Sequence, residues 1–534
     1  MSVLIVGALL AAAAQPEPTA PAPLILDQGR ADRVPPAQPN ATSLPVLKRD
    51  ALSDVAAKGA TVAIRGIDFV GAKAPAMVAE AARPFLDKPA SRETLDALAQ
   101  ALSKAYAKSP IALYTIGIPD QDFRNGRVKV LIAEGFIEDI LYSKGASSQL
   151  RALGERLRRE KPLTRRSLER YLSLMRDMPG LKLDAKLMRG RKPGGVVLVL
   201  SADRKRSDFS IGIDNRGTQG LGDGQYRAEA HGYNLLRDGD RTDLSLLAGL
   251  NPKRYQYASL SHATPLNADG LMLSAAFGYL KTRPKDTMIT GTAGTASMTV
   301  SYPLIRGYKR NLSVSLGLDG LNSDAALFGD LISSDRTRTL RLAAGYSYVA
   351  SKSVLSGGAT VSRGLDILGA RGLAGFSDVT FTKVNARANF DRSIGKKAAV
   401  RLRVAGQYSP DRLAASERFA VGGQEFARAF NAGILTADSG FAGSLEFAYR
   451  PKLTKRLEGT ELYSFVDGAR LYVRDRPGFP SQDFDLASAG GGVRFAYASK
   501  ASLEIEGARS IDRPYAGAAP DWRVNVTWRL SFKH

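Results

Sequence analysis

Chemistry that needs a thiolate or a ring of imidazoles has almost nothing to work with in this chain. Its 534 residues include no cysteine and three histidines, His231, His262 and His534, which nearly excludes thiol enzymes and zinc sites. Neither His231 nor His262 has an obvious serine and acid partner of the kind an acyl hydrolase requires. Gly220, Gly222 and Gly224 superficially suggest a phosphate loop, but no Lys-Ser/Thr follows and the flanks alternate like strands, so they read as turn glycines. Asp68, Glu134 and Asp139 read as solvated charges rather than a catalytic pair. What remains is charge: 75 Lys+Arg against 52 Asp+Glu, a formal net charge of +23. Such a balance invites nucleic acid as a partner. Lys and Arg are nevertheless spread along the whole chain among acids, with no basic arm and no aromatic-plus-basic motif, which fits a solvated surface or a positively lined channel better.

The elements that would position these charges change in kind along the chain. Val3 to Ala14 is an apolar run of signal-peptide length ending in Ala12-Ala13-Ala14, too short to span a bilayer, so residues 1–14 are expected to direct export. Seven prolines between Pro16 and Pro39 then exclude a continuous helix, and 15–60 reads as an extended linker. Residues 61–137 predict a β-α-α-β-β unit: a strand from Thr61 to Val70, a helix from about Pro75 to Arg83, and a helix opened by Ser91 with Leu95, Leu98, Leu102 and Tyr106 on one face. Strands Ala112 to Ile118 and Val128 to Ala133 close the unit. The same order repeats over 138–206, with a strand Ile137 to Tyr142, helices Ser147 to Arg158 and Arg165 to Arg176, and strands Leu181 to Leu187 and Val196 to Leu200.

From 207 to 534 helical periodicity stops and period-2 alternation takes over. Trp522, Val524, Val526, Trp528, Leu530 and Phe532 alternate with polar residues without a break, and so do Leu312, Val314, Leu316 and Leu318. About 16 such runs, at roughly 20 residues per strand and connection, predict a closed transmembrane antiparallel barrel. A soluble sandwich or propeller would also alternate; the export signal and the arginine-rich polar faces favour the membrane. The expected fold class is α+β, then all-β.

Several stretches now resemble a known family over about residues 61–534. Gly66-Ile67 through Val70-Gly71, Tyr106, Ile118-Pro119 with Gln121, and Glu134-Gly135-Phe136-Ile137 resemble the first POTRA domain of two-partner secretion transporters of the outer membrane, the TpsB type. These are the hemolysin secretion/activation proteins (ShlB/FhaC/HecB-like) of the superfamily that includes BamA. Asp177-Met178-Pro179-Gly180 is similar to a turn of the second POTRA domain, and Asp214-Asn215-Arg216-Gly217 with Asn234-Leu235-Leu236 and Gly239-Asp240 to the first barrel hairpin. Phe419-Ala420-Val421-Gly422-Gly423, Ala427-Arg428-Ala429-Phe430, Asp438-Ser439-Gly440 and Glu446 resemble the family's long inward-folded loop and the strand after it, and Phe465-Val466-Asp467 its F-x-D strand.

The resemblance implies two tandem POTRA-like domains in the periplasm and a barrel that moves an unfolded protein to the cell surface. It implies a lumen loop whose Arg428 pairs with Asp467, with Gly422, Gly423, Phe430 and Phe465 around it, and exoprotein docking near Tyr106, Gln121, Glu134 and Gly135. Residues 15–60 are the candidate for a plug segment. The implied partners are a secreted TpsA-like exoprotein, outer-membrane lipid and, during biogenesis, the barrel assembly machinery. No cofactor, metal, catalytic activity or nucleic acid is implied, and a monomer is expected. Ala429 stands where the family has glycine, so strain is expected there if the tip needs positive φ. A BamA-class assembly factor, and less so a passive porin or an outer-membrane hydrolase, stay open as alternatives.

Overall fold

The computed structural model describes residues 62–533 apart from 144–145, 218–219, 286, 329, 458, 499 and 519–520. The expected signal peptide and linker lie outside the described residues. Contacts divide the chain into two compact units, one holding the described residues up to Arg204 with the turn Arg306–Tyr308, the other holding Lys205–Ile305 and the residues from Lys309 onward.

The first unit is built twice to one plan. In the first module β1 (Gly66–Gly71), α1 (Ala76–Ala82), α2 (Arg92–Lys108), β2 (Tyr114–Gly117) and β3 (Arg127–Glu134) form a sheet of order β1-β3-β2, with β1 parallel and β2 antiparallel to β3. The second module repeats this as β4 (Phe136–Tyr142), α3 (Ser148–Arg159), α4 (Arg165–Arg176), β5 (Leu181–Arg189) and β6 (Gly195–Arg204), in order β4-β6-β5. Helix starts follow the sequence closely because Ser91, Ser147 and Thr164 accept the N–H of Thr94, Leu150 and Ser167, each satisfying a donor that the first turn leaves unpaired. Leu95, Leu98, Leu102 and Tyr106 are buried on one face of α2 against Val128, Val130 and Ile132. Two expected strands are shorter than predicted. Ile64 and Ala90 bond across to Lys88 and Val62, so the start of the first segment leaves the sheet. Ala112 donates to Leu163, which pulls the start of the β2 segment toward the second module.

The second unit is a closed barrel of 16 strands. Its first eight are β7 (Ser207–Asp214), β8 (Gln225–Tyr233), β9 (Arg241–Gly249), β10 (Tyr255–Pro265), β11 (Met272–Thr282), β12 (Ile289–Arg306), β13 (Arg310–Leu327) and β14 (Asp330–Val349). Then follow β15 (Ser353–Gly364), β16 (Thr382–Ile394) and β17 (Ala398–Tyr408). Two short strands, β18 (Phe419–Val421) and β19 (Leu435–Ala437), pair only with each other. The wall resumes with β20 (Ser439–Tyr449), β21 (Glu461–Val473), β22 (Gln482–Tyr497), β23 (Ala501–Asp512) and β24 (Trp522–Lys533). Closure is made by β24 against β7, with Trp528 opposite Ile213 and Phe532 opposite Phe209. Trp522, Val524, Leu316 and Leu342 face outward, where lipid replaces the core that a soluble sheet would need.

Lipid exposure has a depth-dependent cost for charge. Leu316→Arg, in the middle of β13, is expected to destabilise the barrel by about 2–4 kcal/mol, whereas Tyr408→Arg, at the end of β17, should cost about 0–1 kcal/mol. Urea-titrated folding into lipid vesicles measures both, and equal costs would contradict the lipid-facing assignment.

Candidate functional site

The segment between β17 and β20 turns into the barrel. It opens with a 3-10 turn at Ala415–Glu417, runs out along β18, reverses and returns along β19, with Phe419 opposite Ala437. Gly422 and Gly423 both take φ near +100°, and a Cβ on Gly422 would run into the Asn431 carbonyl, so the hairpin requires glycine there. Phe430 is fully buried and packs with Phe465, Phe426 and Tyr463 in one cluster. At the tip sits Arg428, largely buried.

Five consecutive strands converge on that arginine. Its Nη1 lies 3.1 Å from Glu446 on β20 and 3.3 Å from Glu506 on β23. Nη2 donates to Ser444 Oγ at 3.0 Å, and the guanidinium lies 4.1 Å above the Phe465 ring. Asp467 on β21 is 3.5 Å from Nε and accepts the Arg428 backbone N–H at 3.4 Å. Ser488 on β22 donates to Asp467 and accepts the Ala429 N–H, and Asn525 on β24 donates to the Arg428 carbonyl. The implied partners thus meet, but not through a two-pronged fork: the hydrogen bonds of the guanidinium go to Glu446, Glu506 and Ser444, and Asp467 holds the backbone. Glycine makes the room. Cβ atoms on Gly490 and Gly492 of β22 would meet Phe465 and Tyr463 within 3 Å.

Ala429 is not strained. Positive φ falls at Ala427 (+55°), and Ala429 donates a backbone hydrogen bond from an ordinary conformation, fully buried. The glycine position of the family accepts alanine here because the turn of the tip is made two residues earlier.

Sequence reading missed how the loop's root is held. Glu417, fully buried, meets Arg341 of β14 at 2.8 Å and Lys383 of β16 at 2.9 Å. Asp438, also fully buried, meets Arg476 at 2.8 Å and accepts the N–H groups of Leu413 and Arg474. Arg341 and Lys383 lie on strands whose alternation shows only that they point inward, and Glu417, Asp438 and Arg476 lie on connections with no periodicity to read; which charge meets which is set by closure. Beside the loop, a lumen cavity of about 750 Å³ is lined by Arg227, Arg387, Arg403, Gln225 and Glu425 among others.

In the first module, the residues expected to dock an exoprotein have other work. Tyr106 is fully buried, 3.4 Å from Glu134, and stacked on Tyr114 at 5.0 Å between centroids. Burial, and then the adjacent Glu134 carboxylate, push its phenol up to about 12. The buried ring of Tyr106 offers no surface of its own and supports α2 on its sheet. Gln121 bridges the Lys129 N–H and carbonyl. Gly135 donates to Leu113 and accepts from Leu163, and a Cβ there would meet Leu113 at 2.5 Å, which makes it the close joint between the two modules.

Comparisons with known proteins agree with this arrangement. The sequence model of the family described as "Haemolysin secretion/activation protein ShlB/FhaC/HecB" matches residues 194–495, and that of the ShlB-type POTRA domain matches residues 62–135. A heme/hemopexin transporter protein, HuxB of Haemophilus influenzae, is 21% identical over 454 residues, 80% of this chain and 79% of that protein. CdiB from Escherichia coli has the same fold at a TM-score of 0.76 and 17% identity, over 92% of this chain and 94% of that one. BamA from Haemophilus ducreyi lacking POTRA domains 1–3 is more distant, with a TM-score of 0.52 and 14% identity over 88% of this chain and 100% of that one.

Two measurements check the loop. Glu417→Gln strips the carboxylate from buried Arg341 and Lys383, and breaking such a pair is expected to cost about 3–5 kcal/mol, read as protease sensitivity of residues 409–438 in a barrel that stays inserted. Ala427→Gly, which relieves the positive φ, should stabilise by about 0.4–1 kcal/mol and Ala429→Gly should destabilise by a similar amount, read by thermal unfolding in detergent.

Proposed function

This chain belongs to the haemolysin secretion/activation family of two-partner secretion transporters, and from that premise we propose how its parts divide the work. Its substrate is a secreted TpsA-like exoprotein and its place is the outer membrane; the finer steps are our reading. The two modules lie in the periplasm and receive the unfolded N-terminal region of the exoprotein along their open sheet edges, β1 and β2 in the first, β4 and β5 in the second, where an extended chain can add as a strand. The loop carrying Arg428 then leaves its seat, the chain threads through the polar lumen, and folding outside makes the passage one-way.

The observation that carries this reading is the inward loop itself. A passive porin needs no plug fastened by buried charges at both tip and root, and a seat made of ion pairs can be exchanged for water more readily than an apolar one. The charges lining the lumen are largely paired with one another, Arg401 with Glu446 and Glu461, Arg494 with Glu446, so the path is polar without a large field to trap a passing chain. The family match favours transport over a BamA-class role in inserting other barrels.

Deleting residues 62–203 should leave a barrel that inserts and conducts ions but secretes nothing. The assay follows surface release of the exoprotein, sought first in the neighbouring gene, and undiminished secretion by the truncated barrel would place recognition elsewhere.

A further inference from the structure

One sector of the barrel's outer face departs from a plain lipid-facing wall. Pairing across β24, β7, β8, β9, β10 and β11 sets Trp528, Ile213, Tyr226, Ala248, Gln256 and Lys281 in one row. One pair further along the strands, Ile211, Ala228, Leu246, Ala258 and Tyr279 make the next. The small side chains of Ala228, Ala248 and Ala258 sit among the exposed rings of Tyr226 and Tyr279 and the indole of Trp528, and the result is an apolar concavity of about 680 Å³.

Cations crowd the end of this sector. Lys281 is at the rim of the concavity, and Arg283 follows it with the same outward parity. Residues 283–285 are tied to their neighbours, since Arg283 donates its N–H to the Arg254 carbonyl, Arg254 Nη1 donates to the Pro284 carbonyl at 3.3 Å, and Lys285 donates its N–H to Gly220. With Lys253 beside them, five cations stand at the end of β11 and on the connections after β9 and β11, and these with the joined connection after β7 hold two acids, Asp223 and Asp286. Single lysines at a membrane interface are ordinary, because a long stem reaches from the apolar layer to water. A cluster held by backbone bonds directly beyond an apolar hollow is a different object: it matches a ligand with several fatty chains and a multiply phosphorylated head.

The leaflet follows from connectivity and rests on the placement of the modules in the periplasm. Only Lys205 and Arg206 separate β6 from β7, so β7 starts on the module side. The connections after β7, β9 and β11 therefore open on the cell surface, and the cations at the end of β11 and on the last two of these connections lie there. We propose that this sector, from Trp528 to Lys281, binds the phosphorylated, multiply acylated glucosamine lipid of the outer leaflet, lipid A in its chemistry. The chains fill the hollow over Ala248 and Ala258, and the phosphates meet Lys281, Arg283 and Lys285.

The test uses the full-length protein in detergent, with bisphosphorylated lipid A and phosphatidylglycerol as probes and native mass spectrometry as the readout. Lipid A should be retained at least tenfold better than phosphatidylglycerol. The preference should be lost in Lys281→Ala/Arg283→Ala/Lys285→Ala. It should also fall in Ala258→Leu, which fills the hollow without touching a charge. Equal retention of the two lipids, or an unchanged preference in both variants, overturns the site. Because the natural chain has no cysteine, Asn251→Cys gives a clean orientation probe. Labelling by an impermeant maleimide in intact cells supports the surface placement. Labelling only after lysis overturns the periplasmic reading of the modules, a failure distinguishable from that of the lipid site.

Discussion

Inside a bilayer no backbone N–H or C=O can be left to water, and the rest of this structure follows from that constraint. Sixteen antiparallel strands satisfy it only because β24 finds β7 across more than 300 residues of chain, opposite in register from Thr527–Asp214 to Lys533–Asp208. Closure removes the sheet edges, and it also creates an interior that must be filled. The outward residues are given over to lipid, so the fastening of whatever occupies the lumen falls to the inward, polar half of each strand.

That is where the charges are spent. A buried ion pair adds little net stability, since desolvation offsets most of its attraction, but losing one partner leaves an uncompensated charge. A loop fastened this way is therefore specified rather than strongly held. Its tip is placed by the loop's Arg428 among the wall carboxylates Glu446, Asp467 and Glu506, and its root by the loop's Glu417 and Asp438 against Arg341, Lys383 and Arg476. For a transporter this is an apt fastening, because a passing chain that brings water also brings the means of solvating both halves of each pair.

Much of this was legible in the sequence, for reasons that differ by element. Period-2 alternation has a direct cause, one face to lipid and one to the lumen, and so a barrel of about 16 strands could be read without a structure, the number itself coming from closure. The cap at Ser91 is local and was read from the sequence, and the helix starts at Ser148 and Arg165 fall within a residue of the expected ones. Arg428 and Asp467 came from motif resemblance, and the structure brings them together. What could not be read is long-range: Glu506, Glu417, Arg341 and Lys383 look like any other inward charge until closure sets their neighbours. The run Gly490-Gly491-Gly492 was the one overlooked local signal, marking where rings from the next strand need space. Tyr106 and Ala429 misled in the opposite sense, since a motif position says which residue is used, not whether it faces a partner or which neighbour takes the positive φ.

The central claim is that Arg428 and Asp467 seat the loop tip through one network, in which the Asp467 carboxylate faces both the backbone N–H and Nε of Arg428. Secretion measured in Arg428→Ala, Asp467→Ala and the double mutant tests it most directly, with barrel insertion monitored alongside. The account predicts that both single variants insert normally and lose secretion, and that the double mutant is no worse than Arg428→Ala alone, as expected for two residues of one hydrogen-bond and ion-pair network. Normal secretion by Arg428→Ala, or losses that add independently, would contradict it.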